Sequence, residues 1–316
     1  MTSPIVVNAD QAQQYLDRID LQQELRGMFE ELGHGQAVQP AQTLTLFPDD
    51  RGDFITYLGA QGQAGVFGAK LSPYIVTSDK PVITAWTILI SMETGQPLLL
   101  CDAGQLTTER TAGTTALAVD YLARPDSRTL AIIGSGGVAK AHLRRVSGLR
   151  DWDRVRVYSR SLTGDRERQD EWKALTSNVE FSDDAEAAAE DADVVMLCTS
   201  SGTPVIDASV IRDGALVTSI STNVAGAHEV DPAWLSNAQV YCDYRKTTPD
   251  SAGEMVLARQ DHGWNPATIR GDLPELATGN CPMPERDRPL FFRSIGLGLE
   301  DIAAAQALLR LVRPAS

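Results

Sequence analysis

The stretch TLAIIGSGGVAKAHLRRV, residues 129–146, constrains the fold of this chain more than any other segment. An apolar run ends in closely spaced glycines and passes directly into a helix-like pattern. Gly134, Gly136 and Ala139 have GxGxxA spacing. In such a turn the first glycine permits the bend, the second lets backbone approach a pyrophosphate, and the small third residue allows close helix–strand packing. The stretch therefore predicts a phosphate-binding turn at a helix N-terminus.

The segments around this turn predict the fold class. After Arg110, strand-like and helix-like segments alternate, which is typical of a doubly wound parallel sheet. Short strand-like segments between Gln42 and Leu100 are separated by Gly, Pro and Asp and predict a mostly antiparallel region. One amphipathic helix is predicted from Asn8 or Asp10 to about Gly33. We expect an α/β protein with a Rossmann-type sheet and a second, α+β lobe.

The end of the second strand in the alternation bears on cofactor choice. NAD-binding sites usually carry Asp or Glu there, which binds the ribose 2′-hydroxyl. This chain has Ser159, Arg160 and Ser161 instead. The arginine can pair with a 2′-phosphate and the hydroxyls can donate to it, so NADP(H) is predicted over NAD(H), the alternative. The turn and this edge give the predicted cofactor-binding residues Gly134, Ser135, Gly136, Gly137, Val138, Ala139, Ser159, Arg160 and Ser161.

Composition excludes several other classes of function. The formal net charge of -14 opposes nucleic-acid binding, because such a surface repels phosphate backbones. The four cysteines and four histidines are scattered without ligand spacing, so we expect neither disulfides nor a metal site. The N-terminus is polar, and no apolar run has the roughly 18 residues of a membrane span. We expect a cytoplasmic protein without a membrane partner.

Several motifs together resemble the ornithine cyclodeaminase/μ-crystallin family. They are GAKLSPYI (68–75), the segment from LTTERTAG to GGVAKAHL (106–143), STNVAGAHEVD (221–231) and PLFFRSIGLGLEDIAAAQ (289–306), whose FxSxGxxxxD pattern ends at Asp301. The resemblance implies a homodimer of two-lobed subunits. Residues 1–112 with 297–316 would form the substrate-binding and dimerisation lobe, and residues 113–296 the dinucleotide-binding lobe.

The resemblance also implies residue roles. Lys70 and Arg110 match family positions that bind a substrate carboxylate, and Lys70 could also supply a proton. Arg110 is expected at a helix start. Thr111 and Ser294 match positions near the pyrophosphate and the nicotinamide. Thr199 and Ser200 end a strand at the edge where ligands bind in such sheets.

Two positions depart from the family pattern. Many members carry an arginine where this chain has Gln42, a predicted substrate-binding residue without that charge. Either the substrate carboxylate is held with less help here, or the substrate differs. Cyclodeaminases carry an aspartate base where our alignment places Asn223. An amide can orient a substrate or a water but cannot collect a proton. A shifted alignment would instead bring Asp231 to this position.

The missing aspartate favours simple imine reduction over cyclodeamination. We therefore expect NADPH-dependent reduction of a small cyclic α-imino acid, Δ1-pyrroline-2-carboxylate or Δ1-piperideine-2-carboxylate, to the L-amino acid. Lys70, Arg110 and Asn223 are the predicted catalytic residues, and the partner is a small imino or amino acid. The alternatives are conversion of L-ornithine to L-proline and ammonia, an open-chain amino-acid dehydrogenase, and a non-enzymatic NADPH-dependent binding protein.

Overall fold

A computed structural model describes residues 3–221 and 226–313. Within these ranges, no helix combines the length and the apolar character needed to cross a lipid bilayer. The same residues contain no group of three or more His, Cys, Asp or Glu side chains arranged to hold a metal ion.

The chain forms two compact units. Unit 1 comprises Met1–Arg110 and Gly296–Ser316, and unit 2 comprises Thr111–Ile295. These bounds lie within two residues of the lobes expected from the sequence. The roles expected for the two lobes stay predictions.

The strands and helices follow in chain order. The strands are β1 (Ile5–Val7), β2 (Ala37–Val38), β3 (Thr43–Leu46), β4 (Gly52–Gln61), β5 (Val66–Ile75), β6 (Val82–Ile83), β7 (Trp86–Ser91), β8 (Pro97–Asp102), β9 (Thr129–Ile133), β10 (Arg154–Tyr158), β11 (Val179–Ser182), β12 (Val194–Leu197), β13 (Leu216–Ser219), β14 (Gln239–Cys242), β15 (Gly271–Asp272) and β16 (Leu290–Arg293). The helices are α1 (Ala9–Leu16), α2 (Leu21–Gly33), α3 (Gly104–Leu122), α4 (Gly137–Val146), α5 (Arg166–Leu175), α6 (Ala185–Ala189), α7 (Thr248–Ser251), α8 (Gly253–Asp261), α9 (Leu273–Ala277) and α10 (Gly298–Val312).

Unit 2 contains a parallel sheet with the strand order β11-β10-β9-β12-β13-β16-β14-β15. When β9 to β13 and β16 are numbered among themselves, they stand in the Rossmann order 3-2-1-4-5-6. Strands β14 and β15, which precede β16 in the chain, extend the edge beyond it. The order reverses beside β9, whose neighbours are β10 and β12. Ligands of doubly wound sheets bind at this reversal, outside the carboxyl ends of the strands. The predicted fold class is confirmed.

Unit 1 contains a mixed sheet with the order β1-β8-β7-β5-β4-β2, in which β3 also pairs with β4 and β6 with β5. The β1–β8 pair is parallel, and the other pairs in the described part of this sheet are antiparallel. The mostly antiparallel region expected from the sequence is therefore present, and β1 adds one parallel edge to it.

The prediction of one long N-terminal helix is wrong, because two shorter helices occupy this segment. Asn8 caps α1 by accepting the Gln11 N–H, and Asp20 caps α2 by accepting the Gln23 N–H. The cap at Asp20 marks the N-terminus of a new helix. The apolar spacing nevertheless continues from α1 into α2. The spacing alone therefore did not reveal the second N-terminus.

A row of buried side chains crosses the sheet of unit 1. The register pairs Tyr57 with Lys70, Lys70 with Thr87, and Thr87 with Cys101. All four side chains are buried. Because successive residues of a strand point to opposite faces, the row defines one covered face of the sheet.

Helix α10 packs closely against this covered face because glycines replace side chains there. A Cβ atom at Gly59 in β4 would lie 2.8 Å from the Cα atom of Leu299. A Cβ atom at Gly68 in β5 would lie 3.0 Å from the Ile302 side chain. These glycines let the first turn of α10 approach the row that contains Lys70.

Substitution of two glycines by alanine tests this packing. We expect Gly59→Ala to lower the free energy of unfolding by about 1–3 kcal/mol, because the new methyl group overlaps backbone atoms of Leu299. Gly27→Ala is the matched control, since Gly27 lies exposed inside α2 with nothing within 4 Å of its Cβ position. Gly27→Ala should raise stability by about 0.5–1 kcal/mol. Urea unfolding measures both changes, and equal effects would contradict the close approach of α10.

Candidate functional site

The glycine turn after β9 has the geometry that a dinucleotide site requires. Gly134 has a φ of 121°, and a Cβ atom there would lie 2.3 Å from the carbonyl oxygen of Cys198. Cβ atoms at Gly136 and Gly137 would meet nothing within 4 Å. The turn therefore needs glycine at its first position and leaves open space at the next two, where α4 begins. Backbone can approach a pyrophosphate on this open side.

A cavity of about 880 Å³ lies against this turn in unit 2. The ends of β9, β10, β12 and β13 border the cavity, which places it at the reversal of strand order. The predicted cofactor residues that line it are Gly134, Ser135, Gly136, Gly137, Val138, Ser159, Arg160, Ser161, Thr199 and Ser200. The residues present therefore fit a nicotinamide dinucleotide.

Three predicted cofactor residues are outside the described lining of this cavity. Ala139 is buried in α4, in agreement with a packing role for the third position of the motif. Ser294 is buried and donates to Asp243 Oδ2 at 3.0 Å. Thr111 lies inside α3 and is the first residue of unit 2.

A second arginine lines the cavity where the sequence analysis named only Arg160. Arg168 in α5 donates to Ser161 Oγ at 2.9 Å and also to Ser135 and Ser159. The hydroxyl oxygens of Ser135 and Ser159 lie 2.7 Å apart. Two guanidinium groups and three hydroxyls therefore face the edge where a ribose 2′-substituent would bind.

A buried carboxylate joins two neighbouring strand ends beside the cavity. Glu229, with an exposure of 0%, accepts the Thr199 N–H at 2.8 Å and the Thr199 hydroxyl at 2.7 Å. It also accepts the Ser219 hydroxyl at 2.7 Å and the Ser221 N–H at 2.9 Å. Ser221 has a φ of 44°, in the left-handed region that is costly for serine. Glu229 thus fixes Thr199 and stabilises this backbone conformation.

Asp243 organises the carboxyl end of β16 in a similar way. Its carboxylate accepts the hydroxyl of Ser294 at 3.0 Å and the N–H of Ile295 at 2.7 Å, and it also accepts the hydroxyl of Thr248. Burial raises the pKa of Asp243, although these hydrogen bonds act in the opposite direction. The predicted cofactor residue Ser294 is therefore held by a specific acceptor.

In unit 1, the two predicted carboxylate-binding cations meet on one carboxylate. Asp301 Oδ2 lies 2.8 Å from Lys70 Nζ, and Asp301 Oδ1 accepts from Arg110 Nε at 2.8 Å. Arg110 Nη1 also donates to Glu300 Oε2 at 2.8 Å. Two cations and two carboxylates thus form a buried cluster whose formal charges cancel. Both acids lie in the first turn of α10, where the helix dipole favours negative charge.

The cluster shifts the ionisation of both cations. Burial lowers the pKa of Lys70 to about 8, although Asp301 acts in the opposite direction and Arg110 adds to the lowering. Burial also disfavours a charged Arg110, but the attraction of Asp301 and Glu300 outweighs it and raises the pKa of Arg110. Lys70 Nζ also lies 4.1 Å from the ring centre of Tyr57, a cation–π contact. Lys70 can therefore exchange a proton near neutral pH, whereas Arg110 remains charged.

The helix start expected at Arg110 is wrong. Helix α3 begins at Gly104 and contains Arg110 in its interior. The segment QLTTER continues the helix pattern upstream, and no proline or further glycine interrupts it.

The structure describes Gln42 and Asp231 but not Asn223 among the positions that bear on the departures from the family pattern. Gln42 is half-buried and directly precedes β3, whose first residue pairs with Thr56, the neighbour of Tyr57. Continuing this register by one residue would place Gln42 opposite Tyr57, at one end of the row that contains Lys70. Asn223 lies outside the described residues, and its role stays a prediction. Asp231 is exposed and accepts the N–H of Ala233 as a helix cap.

Several polar residues of these networks were not predicted from the sequence: Asp301, Glu229, Asp243, Arg168 and Glu300. Asp301 ends the FxSxGxxxxD pattern, which carried the family resemblance but received no role. Glu229 lies in STNVAGAHEVD, which also carried the family resemblance, and it received no role either. Arg168 lies in a charged helix, and Glu300 beside Asp301, and neither carries a local signal that separates it from a solvated charge.

This chain belongs to the ornithine cyclodeaminase/mu-crystallin family, whose sequence model matches residues 5–312. It is 56% identical over 309 residues to the NAD(P)H-dependent anabolic L-arginine dehydrogenase DauB of Pseudomonas aeruginosa, with 98% of each chain covered. It is 28% identical over 238 residues to a Delta(1)-pyrroline-2-carboxylate reductase of Colwellia psychrerythraea, covering 73% of this chain and 74% of the relative.

The fold also matches a solved structure across nearly its full length. The Delta(1)-pyrroline-2-carboxylate reductase of Thermococcus litoralis, in complex with NADH and L-proline, superposes with a TM-score of 0.89 at 21% identity. The match covers 97% of this chain and 96% of that one. This likeness shows the fold. The relatives confirm the prediction of an NAD(P)-dependent oxidoreductase.

Proposed function

We propose that this enzyme uses NAD(P)H to reduce an open-chain α-imino acid, formed from a 2-oxo acid and ammonia, and that its product is L-arginine. The observation that carries the substrate is the 56% identity with the L-arginine dehydrogenase of Pseudomonas aeruginosa across 98% of both chains. The guanidinium of such a substrate is a cation, and the net charge of -14 attracts cations. The sequence alone favours a cyclic substrate, whereas the identity with this relative supports an open-chain one.

The cluster of unit 1 supplies the groups that such a substrate needs. Arg110 keeps its charge and offers the planar donors that suit a carboxylate. Lys70 adds a second positive charge when protonated. Asp301 contacts both cations and restricts their orientation. We infer that the substrate carboxylate binds here and takes over part of the pairing that the two acids provide.

Lys70 also provides the proton. When bound, the nicotinamide supplies the hydride that reaches the imine carbon. As the C–H bond forms, the π pair of the C=N bond moves to nitrogen, which must take up a proton. A lysine with a pKa of about 8 holds that proton at neutral pH and releases it more readily than an ordinary lysine. Asn223 orients the substrate nitrogen in this proposal.

A cyclic α-imino acid remains a second candidate. The Colwellia psychrerythraea relative favours it, and the reduction is the same except that the C=N bond is already present in the ring. Such a substrate would need no ammonia. Ammonia release from L-ornithine without net cofactor use would instead identify a cyclodeaminase.

We propose NADP(H) as the preferred cofactor. Ser159, Arg160 and Ser161 stand at the end of β10, where an acidic residue would favour NAD(H). No carboxylate residue belongs to the described lining of the cavity.

Absorbance of NADPH tests the proposed reaction. With the 2-oxo acid of L-arginine, we expect NADPH loss only when ammonium is also present, because the imine must form first. Lys70→Gln and Arg110→Gln should each lower kcat/KM by about 100-fold or more. Lys173→Gln is the control, since Lys173 lies exposed on α5.

Three results would contradict parts of this account. Faster turnover of Δ1-pyrroline-2-carboxylate without ammonium would select the cyclic candidate. Near-wild-type kcat/KM in both variants, with folding verified by circular dichroism, would remove the role of the cluster. Tight NADPH binding without turnover of any imino or amino acid would favour a binding protein.

We also propose that unit 1 forms a homodimer through the face of its sheet opposite α10. Leu71 in β5 pairs with Trp86 in β7, and Phe67 pairs with Ile90. Leu58, Phe67, Leu71 and Trp86 point away from α10, and each is about two-fifths to one-half exposed. An apolar face of neighbouring strands is typical of a protein–protein interface. A second copy of the chain fits because the family resemblance implies a homodimer.

Analytical ultracentrifugation of two variants tests the dimer. Leu71→Glu would bury a charge at the interface, so we expect it to raise the dimer dissociation constant by about 100-fold or more. Met283→Glu is the matched control, because Met283 is 67% exposed in unit 2. A monomeric wild type, or a dimer that Leu71→Glu leaves intact, would contradict the proposed interface.

A further inference from the structure

Arg168 is held in the cavity of unit 2 by side chains from two separate segments. Its guanidinium donates to Ser135 in the glycine turn and to Ser159 and Ser161 after β10. The turn and the end of β10 are the two segments that border a ribose 2′-substituent in this fold. Arg168 therefore stands where this substituent would bind, with its charge already oriented.

The serines keep donor capacity toward a bound anion. Each serine oxygen accepts from Arg168, so each hydroxyl hydrogen can point elsewhere. One hydrogen is shared between Ser135 and Ser159, whose oxygens are 2.7 Å apart. The other hydroxyl of this pair and that of Ser161 can donate. A guanidinium and two hydroxyl donors match the acceptor oxygens of a phosphate.

Asp165 opposes this charge. Its Oδ1 accepts the backbone N–H of Arg168 and caps α5. Its Oδ2 lies 3.7 Å from Arg168 Nη1. A carboxylate at this distance offsets part of the positive charge and would repel a phosphate.

We propose that Arg168, with Ser135, Ser159 and Ser161, binds the 2′-phosphate of NADP(H), and that Asp165 weakens this preference so that NAD(H) is also accepted. The inference rests on the proposed use of a nicotinamide dinucleotide and adds two specificity-determining residues to it. Arg160 also lines the cavity but is exposed, so its contribution is smaller.

Calorimetric titration with two nucleotides tests the proposal without any substrate. Adenosine 2′,5′-bisphosphate carries the 2′-phosphate, and ADP lacks it. Arg168→Gln should weaken binding of the bisphosphate by about tenfold or more and leave ADP binding unchanged. Asp165→Asn keeps a capping oxygen while removing the charge, and should tighten bisphosphate binding by about two- to fivefold. Arg166→Gln is the control, since Arg166 is exposed and outside the described cavity lining.

The outcomes separate this proposal from the proposed reaction. Equal weakening of both nucleotides by Arg168→Gln would indicate a structural role and overturn the inference. So would loss of bisphosphate binding in Arg160→Gln alone, or an unchanged or weaker affinity in Asp165→Asn. A wild type that binds both nucleotides equally would overturn the NADP(H) preference and this inference together. None of these results depends on imine reduction, which the absorbance assay measures separately.

Discussion

The carboxylate of Asp301 contacts both buried cations of unit 1, Lys70 and Arg110, and the local structure depends on that contact. Lys70 comes from β5, Arg110 from α3 and Asp301 from α10, so one side chain joins three elements that are distant in sequence. The glycines of β4 and β5 let α10 come close enough for this contact. The free energy lost when these charges are removed from water offsets much of the attraction between them. The cluster therefore adds little net stability, in agreement with the chemical role that we propose for it.

Buried carboxylates organise unit 2 as well. Glu229 accepts four donors from the ends of β12 and β13, and Asp243 accepts donors around the end of β16. In each case a buried acid accepts hydrogen bonds that include donors at or just beyond the carboxyl ends of strands. Hydrogen bonds to a buried acid fix the side chains that donate them. A preformed site loses less entropy when a ligand binds.

Local sequence patterns predicted the parts of this protein that depend on local geometry. The glycine turn could be predicted from its GxGxxA spacing. The pattern is informative because only glycine tolerates the φ of Gly134 and the close approach of Cys198. Lys70 and Arg110 came from the family resemblance. Asp301, Glu229 and Arg168 were missed because their partners lie far away in the chain or because their neighbours carry similar charges. The break between α1 and α2 was missed because its apolar spacing continues across Asp20.

The pKa of Lys70 tests the central claim most directly, because it reports both the burial of the cluster and its capacity to donate a proton. We would label the lysine side chains with carbon-13 at the ε position, assign Lys70 with Lys70→Arg, and titrate the free enzyme by NMR. We predict a midpoint pKa of about 8, and a lower midpoint in Asp301→Asn because Asp301 favours the charged form. A midpoint near the ordinary value of 10.5, unchanged by Asp301→Asn, would contradict the buried cluster and the role of Lys70 as the proton donor.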